Sequence, residues 1–220
     1  LEGGKPLFMP LFWHGGYGTA VLASSAPMAA DPEFHIDAAT GLLRGVRQVL
    51  SPHRDARPAG QAPELVVVHG ISLPPGEFGG PWIDRLFCGD LPADAHPFFE
   101  GIAGLRVSAH LLVRRDGGVV QFVPFHVRAW HAGVSSWRGR AVCNDFSVGI
   151  ELEGTDDTPY EPAQYAALRG LLRALQATYP ALAARHVVGH SDIAPGRKTD
   201  PGPSFDWARI ASCRAPADGG

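Results

Sequence analysis

Cysteine is scarce in this chain. Cys88, Cys143 and Cys213 are the only three in 220 residues, widely spaced, odd in number and without a CxxC pair. That usage excludes a disulfide framework and a zinc finger, and fits a reducing compartment. No apolar run is long enough to span a bilayer. Positive charge is not in excess: the formal net charge is -3, so nothing draws the chain toward nucleic acid or an anionic membrane surface. The HExxH pair of a zincin helix is missing. There is no internal repeat and no sign of a second domain.

What remains is a soluble, globular composition, 45% apolar and 19% charged, of a length that supports one domain with a real core. Residues 1–40 are rich in Gly, Pro and Ala and lack periodicity. They read as an N-terminal extension, partly disordered or non-native. Lys5, the apolar residues 7–13 and the small residues 23–30 loosely imitate a secretory signal, but Pro10, His14 and Gly15, Gly16 and Gly18 interrupt it. The chain opens on Leu1, and Met28 is a candidate natural start. Residues 41–212 form the domain, and 213–220 a polar tail.

Within the domain, residues 51–63 are loop, punctuated by Pro and Gly. Residues 64–69 are continuously apolar up to His69, the pattern of a strand buried on both faces. A long Gly- and Pro-rich loop over 70–80 follows, a candidate binding loop, and then a short helix around Trp82, Ile83, Leu86 and Phe87. Residues 107–113 and 119–123 pair as a hairpin across Asp116-Gly117-Gly118. Residues 128–133 are loop. In the strand 147–153, Val148, Ile150 and Leu152 share one face, while Ser147, Gly149, Glu151 and Glu153 share the other. A face of small residues and acids looks like a surface kept open for a ligand. Residues 162–179 form the main helix, with the stripe Tyr165, Leu168, Leu172, Leu175 and Tyr179 between Pro162 and Pro180. Val187 and Val188 make a short strand, and 205–210 a closing helical turn.

Chemistry concentrates in the loop from Gly189 to Gly202, which holds His190, Lys198 and Asp200. With His69 at the end of its strand, two imidazoles and one carboxylate suffice for a catalytic zinc with an open fourth position. The plainer alternative is three unrelated residues: a buried strand-end His, a loop His and a turn-capping Asp. Glu151 could take a proton from water and pass it to a leaving amine. Glu153 lies on the same face, and the pattern does not choose between them. Lys198 could stabilise an oxyanion or simply pair with Asp192 or Asp200. Trp130 could stack on a sugar or fill a loop core. Arg106 could grip a substrate carboxylate or be a surface charge. His110, on a strand, reads as a satisfied core histidine. His14, His35, His53, His96, His126, His131 and His186 receive no role.

Several long segments resemble one family. They are Val66-Val67-Val68-His69, Ile71-Ser72-Leu73-Pro74-Pro75-Gly76-Glu77-Phe78-Gly79-Gly80, Leu105-Arg106-Val107-Ser108-Ala109-His110, Arg128-Ala129-Trp130-His131-Ala132-Gly133, Cys143-Asn144-Asp145-Phe146-Ser147-Val148-Gly149-Ile150-Glu151-Leu152-Glu153-Gly154, and the 189–203 loop. The family is the zinc-dependent N-acetylmuramoyl-L-alanine amidases, which includes phage lysozyme-type amidases and peptidoglycan recognition proteins. The likeness is to its branch acting on 1,6-anhydro-muropeptides. The resemblance implies an α/β fold: a single domain with a central mixed β-sheet flanked by helices. It implies Zn2+ held by His69, His190 and Asp200, Glu151 rather than Glu153 as catalytic acid-base, Lys198 at the transition state, and Arg106 on the substrate peptide. The implied substrate is a small anhydro-muropeptide, cleaved by a cytoplasmic monomer during cell-wall recycling, without nucleic acid or membrane. The rivals are a periplasmic amidase acting on intact wall and a non-catalytic muropeptide-binding module. Gly70 and Val142 depart from the family pattern, which carries Asn and Arg at these places, and both changes remove polar contacts.

Overall fold

Two seven-residue strands, paired side by side, carry the main sheet. In chain order the strands are β1 (Ile36–Asp37), β2 (Leu42–Leu43), β3 (Arg47–Gln48), β4 (Arg54–Ala56), β5 (Leu65–Ile71), β6 (Leu111–Val113), β7 (Val119–Gln121), β8 (Val127–Ala129), β9 (Ser136–Trp137), β10 (Arg140–Ala141), β11 (Ser147–Glu153) and β12 (Val187–Gly189). The helices are α1 (Trp82–Cys88), α2 (Pro162–Thr178) and the single turn α3 (His190–Ile193). The computed structural model describes residues 30–182 and 186–214. The signal-like stretch and residues 215–220 of the tail lie outside the described residues.

The main sheet runs β12-β5-β11-β6-β7-β3. The pairs β12/β5, β5/β11, β11/β6 and β7/β3 are parallel and β6/β7 is antiparallel. The expected mixed sheet flanked by helices is borne out. Alternation along a strand sends successive side chains to opposite faces. Val66, Val68, Val148, Ile150 and Leu152 therefore meet Tyr165, Leu168, Leu171, Leu172 and Leu175 of α2 in one core. The opposite face carries two smaller clusters. Leu65 and Val67 pack with Ala132, Cys143, Phe146, Val188 and Ile193, while Leu112 and Val120 pack with Ile83, Leu86 and Phe87 of α1. His69 and Glu151 are on this second face.

The helix α2 begins with Pro162 at its first position, where a missing N–H costs nothing. The Gln164 amide oxygen accepts from the Glu161 backbone N–H, satisfying one of the orphan donors at the helix entry. The Gln164 amide nitrogen then donates to the carbonyls of Val113 and Glu153, fastening the helix to two strand ends.

Several expectations need correction. Residues 31–40, read as extension, lie against the domain: Asp31 accepts from Arg169 at 2.9 Å and Arg173 at 2.8 Å, and Phe34 packs on the α2 core. The loops 51–63 and 128–133 each contain a strand, because β4 pairs antiparallel with β8 and Arg128 binds Asp55 across the pair. The strand predicted over 107–113 is laddered only from Leu111, although His110 N–H already reaches Gly149 O. His190 opens a helical turn rather than a loop. Cys213, assigned to the tail, is buried, and its carbonyl accepts from Gln176. All three cysteines are free thiols. Among the described residues no helix is long and apolar enough to cross a membrane.

Candidate metal and catalytic site

Register brings the polar groups together. In the parallel pair β5/β11, His69 stands opposite Glu151, so both side chains leave the same face. In β12/β5, Gly189 stands opposite Val68, which puts His190 beside His69 at the next step. The loop carrying Asp200 is folded back by hydrogen bonds. Arg197 and Lys198 N–H groups donate to Ala194 O, and Ser191 N–H donates to Asp200 O at 3.0 Å. Tyr160 Oη, buried under the sheet edge, donates to Pro201 O at 2.9 Å.

As a result, His69, His190 and Asp200 form one cluster. His69 Nδ1 is 3.0 Å from His190 Nδ1 and 3.1 Å from Asp200 Oδ2, and His190 Nδ1 is 3.0 Å from the same oxygen. A tetrahedral zinc with bonds of about 2.0 Å needs ligand atoms roughly 3.3 Å apart. The three atoms already stand near that spacing. Burial holds His69 down to about 4, so its imidazole is neutral at pH 7, the form that ligates a metal. The donor set and its spacing therefore fit a zinc ion.

The neighbouring carboxylate is unusual. Glu151 is 9% exposed, and its buried Oε2 has no hydrogen-bond partner among the described residues. Burial, reinforced by the charge of Asp200 and opposed by that of Lys198, raises it well above the ordinary carboxylate range. Glu153, the rival acid, is committed elsewhere. It accepts from Gly79 N–H at 2.6 Å and from Arg114 at 3.1 Å. The face of β11 is not an open surface: all seven residues of the strand are buried. The His131 ring fills the space over Gly149, where a Cβ would come within 2.5 Å of it.

A cavity of about 240 Å³ opens on this cluster, lined by His69, Glu151, His190, Lys198, Asp200 and Trp130 among others. Lys198 makes no ion pair with Asp192 or Asp200 among the described residues. Asp192 instead accepts from Gly189 N–H. Trp130 forms a wall, held by its Nε1–H to Asp55 at 3.0 Å and stacked on His53. Arg106 lies outside the cavity lining, with its guanidinium 5.2 Å from the Trp130 ring centre. Val142 does not line the cavity either. Gly70 does, but a Cβ there would meet Tyr160 Oη at 2.3 Å. His110 is the satisfied core histidine expected: Nδ1 accepts from Gly149 N–H and Nε2–H donates to Val127 O.

His131 escaped the sequence reading. Its Nδ1 is 2.9 Å from His69 Nε2, and its Nε2 is 3.0 Å from Ser147 Oγ. The available signal was the small-residue face of β11, which leaves room for a ring.

The family model for N-acetylmuramoyl-L-alanine amidase matches residues 59–203. The chain is 64% identical over 170 residues to the 1,6-anhydro-N-acetylmuramyl-L-alanine amidase AmpD of Escherichia coli K12, covering 77% of this chain and 92% of that one. It is 62% identical over 177 residues to AmpD of Citrobacter freundii, covering 80% and 94%. A crystal structure of a selenomethionine AmpD derivative superposes with a TM-score of 0.78 at 61% identity, covering 81% of this chain and 98% of that one. By sequence, by fold and by the cluster at the strand ends, this chain belongs to the N-acetylmuramoyl-L-alanine amidase family.

Proposed function

We propose that this chain is a zinc-dependent amidase that hydrolyses the bond between 1,6-anhydro-N-acetylmuramic acid and L-alanine in soluble muropeptides. It acts as a monomer in the cytoplasm, during peptidoglycan recycling. The observation that carries this is the cluster of His69, His190 and Asp200 with the Glu151 carboxylate beside it on the neighbouring strand. A non-catalytic binder has no need for a carboxylate held on the cavity wall beside a complete set of metal donors. The substrate follows the names of relatives that match over most of both chains.

His69 Nδ1, His190 Nδ1 and Asp200 Oδ2 would hold the zinc. When bound there, zinc supplies Lewis acidity toward the amide carbonyl and acidifies water. Glu151 takes the proton of the attacking water at its free Oε2 and returns it to the departing alanine nitrogen. Its raised proton affinity suits both halves of that transfer. The Lys198 ammonium, on the cavity wall, stabilises charge that develops on the carbonyl oxygen. Trp130 offers a flat apolar wall to the sugar, and Arg106 beside it meets the acidic peptide. All of these groups come from one chain, which supports the monomeric reading.

The test is a zinc assay paired with product mass on soluble anhydro-muropeptide, for the wild type and Asp200→Ala. Wild type is expected to hold one zinc and release free peptide, and the variant to lose both. A wild type that cleaves nothing after zinc loading overturns the reading in favour of a binder. Release from polymeric sacculi as fast as from the soluble substrate would overturn the cytoplasmic assignment.

A further inference from the structure

The two imidazoles of the cluster have their outer nitrogens held by consecutive residues of one segment. His69 Nε2 faces His131 Nδ1 at 2.9 Å, and His190 Nε2 faces Ala132 O at 3.2 Å. The segment is itself clamped, since the N–H groups of both His131 and Ala132 donate to Asn144 Oδ1, at 3.1 and 2.8 Å. Arg197 adds a further bond to Ala132 O at 2.6 Å.

Donor bookkeeping gives this arrangement a direction. A backbone carbonyl can only accept, so the single hydroxyl proton of Ser147 is committed to Cys143 O, at 2.6 Å. Ser147 Oγ must then accept from His131 Nε2–H. That leaves His131 Nδ1 as a bare lone pair, which accepts from His69 Nε2–H. His69 Nδ1 is consequently unprotonated and turned toward Asp200. The same logic applied to His190, whose Nε2–H donates to Ala132 O, leaves its Nδ1 bare as well. The chain Cys143 O, Ser147, His131, His69 fixes a tautomer with no titration involved.

The strand beneath is shaped for this ring. Gly149 sits where any Cβ would come within 2.5 to 2.8 Å of three His131 ring atoms. Ser147 and Gly149 alternate on one face of β11, so the first anchors the ring and the second makes room for it.

We propose that His131-Ala132 is the positioning element of the cation site. Ser147 and Asn144 anchor it, and it sets the tautomer and aim of both histidines and thereby the affinity for zinc. This rests on the metal reading above. Loss of outer hydrogen-bond partners of metal ligands typically weakens metal binding by about 10- to 100-fold.

Two measurements test it. Metal-free wild-type protein, read by imidazole nitrogen shifts, is expected to show His69 and His190 as Nε2–H tautomers. An Nδ1–H tautomer at His69 overturns the relay. Zinc affinity is then measured by chelator competition. His131→Phe keeps a ring but no acceptor, and is expected to weaken zinc binding by about 10- to 100-fold. His131→Asn restores an acceptor near the Nδ1 position and is expected to recover most of that loss. A Phe variant that folds and binds zinc as wild type does overturns the proposal. So does an Asn variant no better than Phe. A wild type that takes up no zinc overturns the metal reading instead, and the tautomers still decide the relay.

Discussion

The two faces of the central sheet follow different rules. On the α2 face, Val66, Val68, Val148, Ile150 and Leu152 of the two long strands meet an apolar helix stripe, so burial accounts for most of the packing. On the other face the same two strands present His69, Ser147, Gly149 and Glu151, and the apolar contacts split into two clusters with the polar groups between them. One face contributes stability through contact. The other holds groups that need hydrogen bonds or a cation to be tolerated, and Glu151 Oε2 has no protein partner among the described residues. Residues whose removal costs stability should therefore differ from those whose removal costs activity.

The largest effect is expected at Glu151. Glu151→Gln keeps shape and removes the proton-transfer group, so kcat should fall by about 10²- to 10⁴-fold. Zinc content should be unchanged, and urea resistance should be no lower than wild type, because Glu151 Oε2 makes no protein hydrogen bond among the described residues for the amide to lose. Parallel assays of product formation, bound zinc and urea midpoint check this. A variant with normal kcat would remove Glu151 from the mechanism.

Leu168→Ala breaks the opposite face. Leu168 is fully buried in the α2 core, and truncation of such a side chain costs about 2–5 kcal/mol. The urea midpoint should drop accordingly, while the fraction that remains folded binds one zinc and turns over at the wild-type rate. Loss of zinc from folded Leu168→Ala protein would show that the two faces are not separable.

The α2 face was legible in the sequence because its signals are periodic. The alternation of Val148, Ile150 and Leu152, and the stripe from Tyr165 to Leu175 between two prolines, announce their partners locally. On the site face, spacing alone left His69, His190 and Asp200 open, and the family resemblance named them. Their approach depends on strand register between segments more than 100 residues apart, which leaves no local trace. His131 was missed for the same reason: its partners are His69 and Ser147, and a side-chain hydrogen bond imposes no period. The pair β4/β8 was hidden by its composition. Its two strands are three residues each and mix Arg and Asp with Ala and Val, and Arg128 bridges Asp55 and Asp145. In the sequence Gly149 suggests an open face, whereas in the structure its hydrogen is the floor under a ring.

The outer side of α2 gives a smaller effect with a pH signature. Hydrogen bonds from Arg169, with Arg173 beside it, hold Asp31 down from 3.8 to about 2 against the opposing effect of burial. The folded value is depressed, so the contribution is fully present above about pH 4 and is lost as pH falls through 2. Asp31→Asn should cost roughly 0.5–1 kcal/mol at pH 7, given the solvent near this pair. The gap between variant and wild type should close between pH 4 and 2. A gap that stays constant in urea titrations across that range would mean the ion pairs contribute nothing.

An effect of similar size and opposite sign is expected at the rim of the site face, where the chain turns into β11. Val142 has φ 58° and ψ 61°, the left-handed region, and its side chain is 48% exposed. A β-branched residue there is strained, because its Cβ crowds the following carbonyl, while asparagine enters that region readily. The backbone is kept in place by bonds that do not involve the side chain. Val142 N–H donates to Ser135 O at 3.0 Å, and Val142 O accepts from Asp145 N–H at 2.9 Å. Val142→Asn therefore relieves strain and gives up little burial, and should raise stability by about 0.5–1 kcal/mol. Bound zinc should not change, since the residue lines no part of the cavity. If the substitution instead lowered stability, the exposed valine would be packing more strongly than its surroundings show, and the turn would belong with the α2 face in being held by contact.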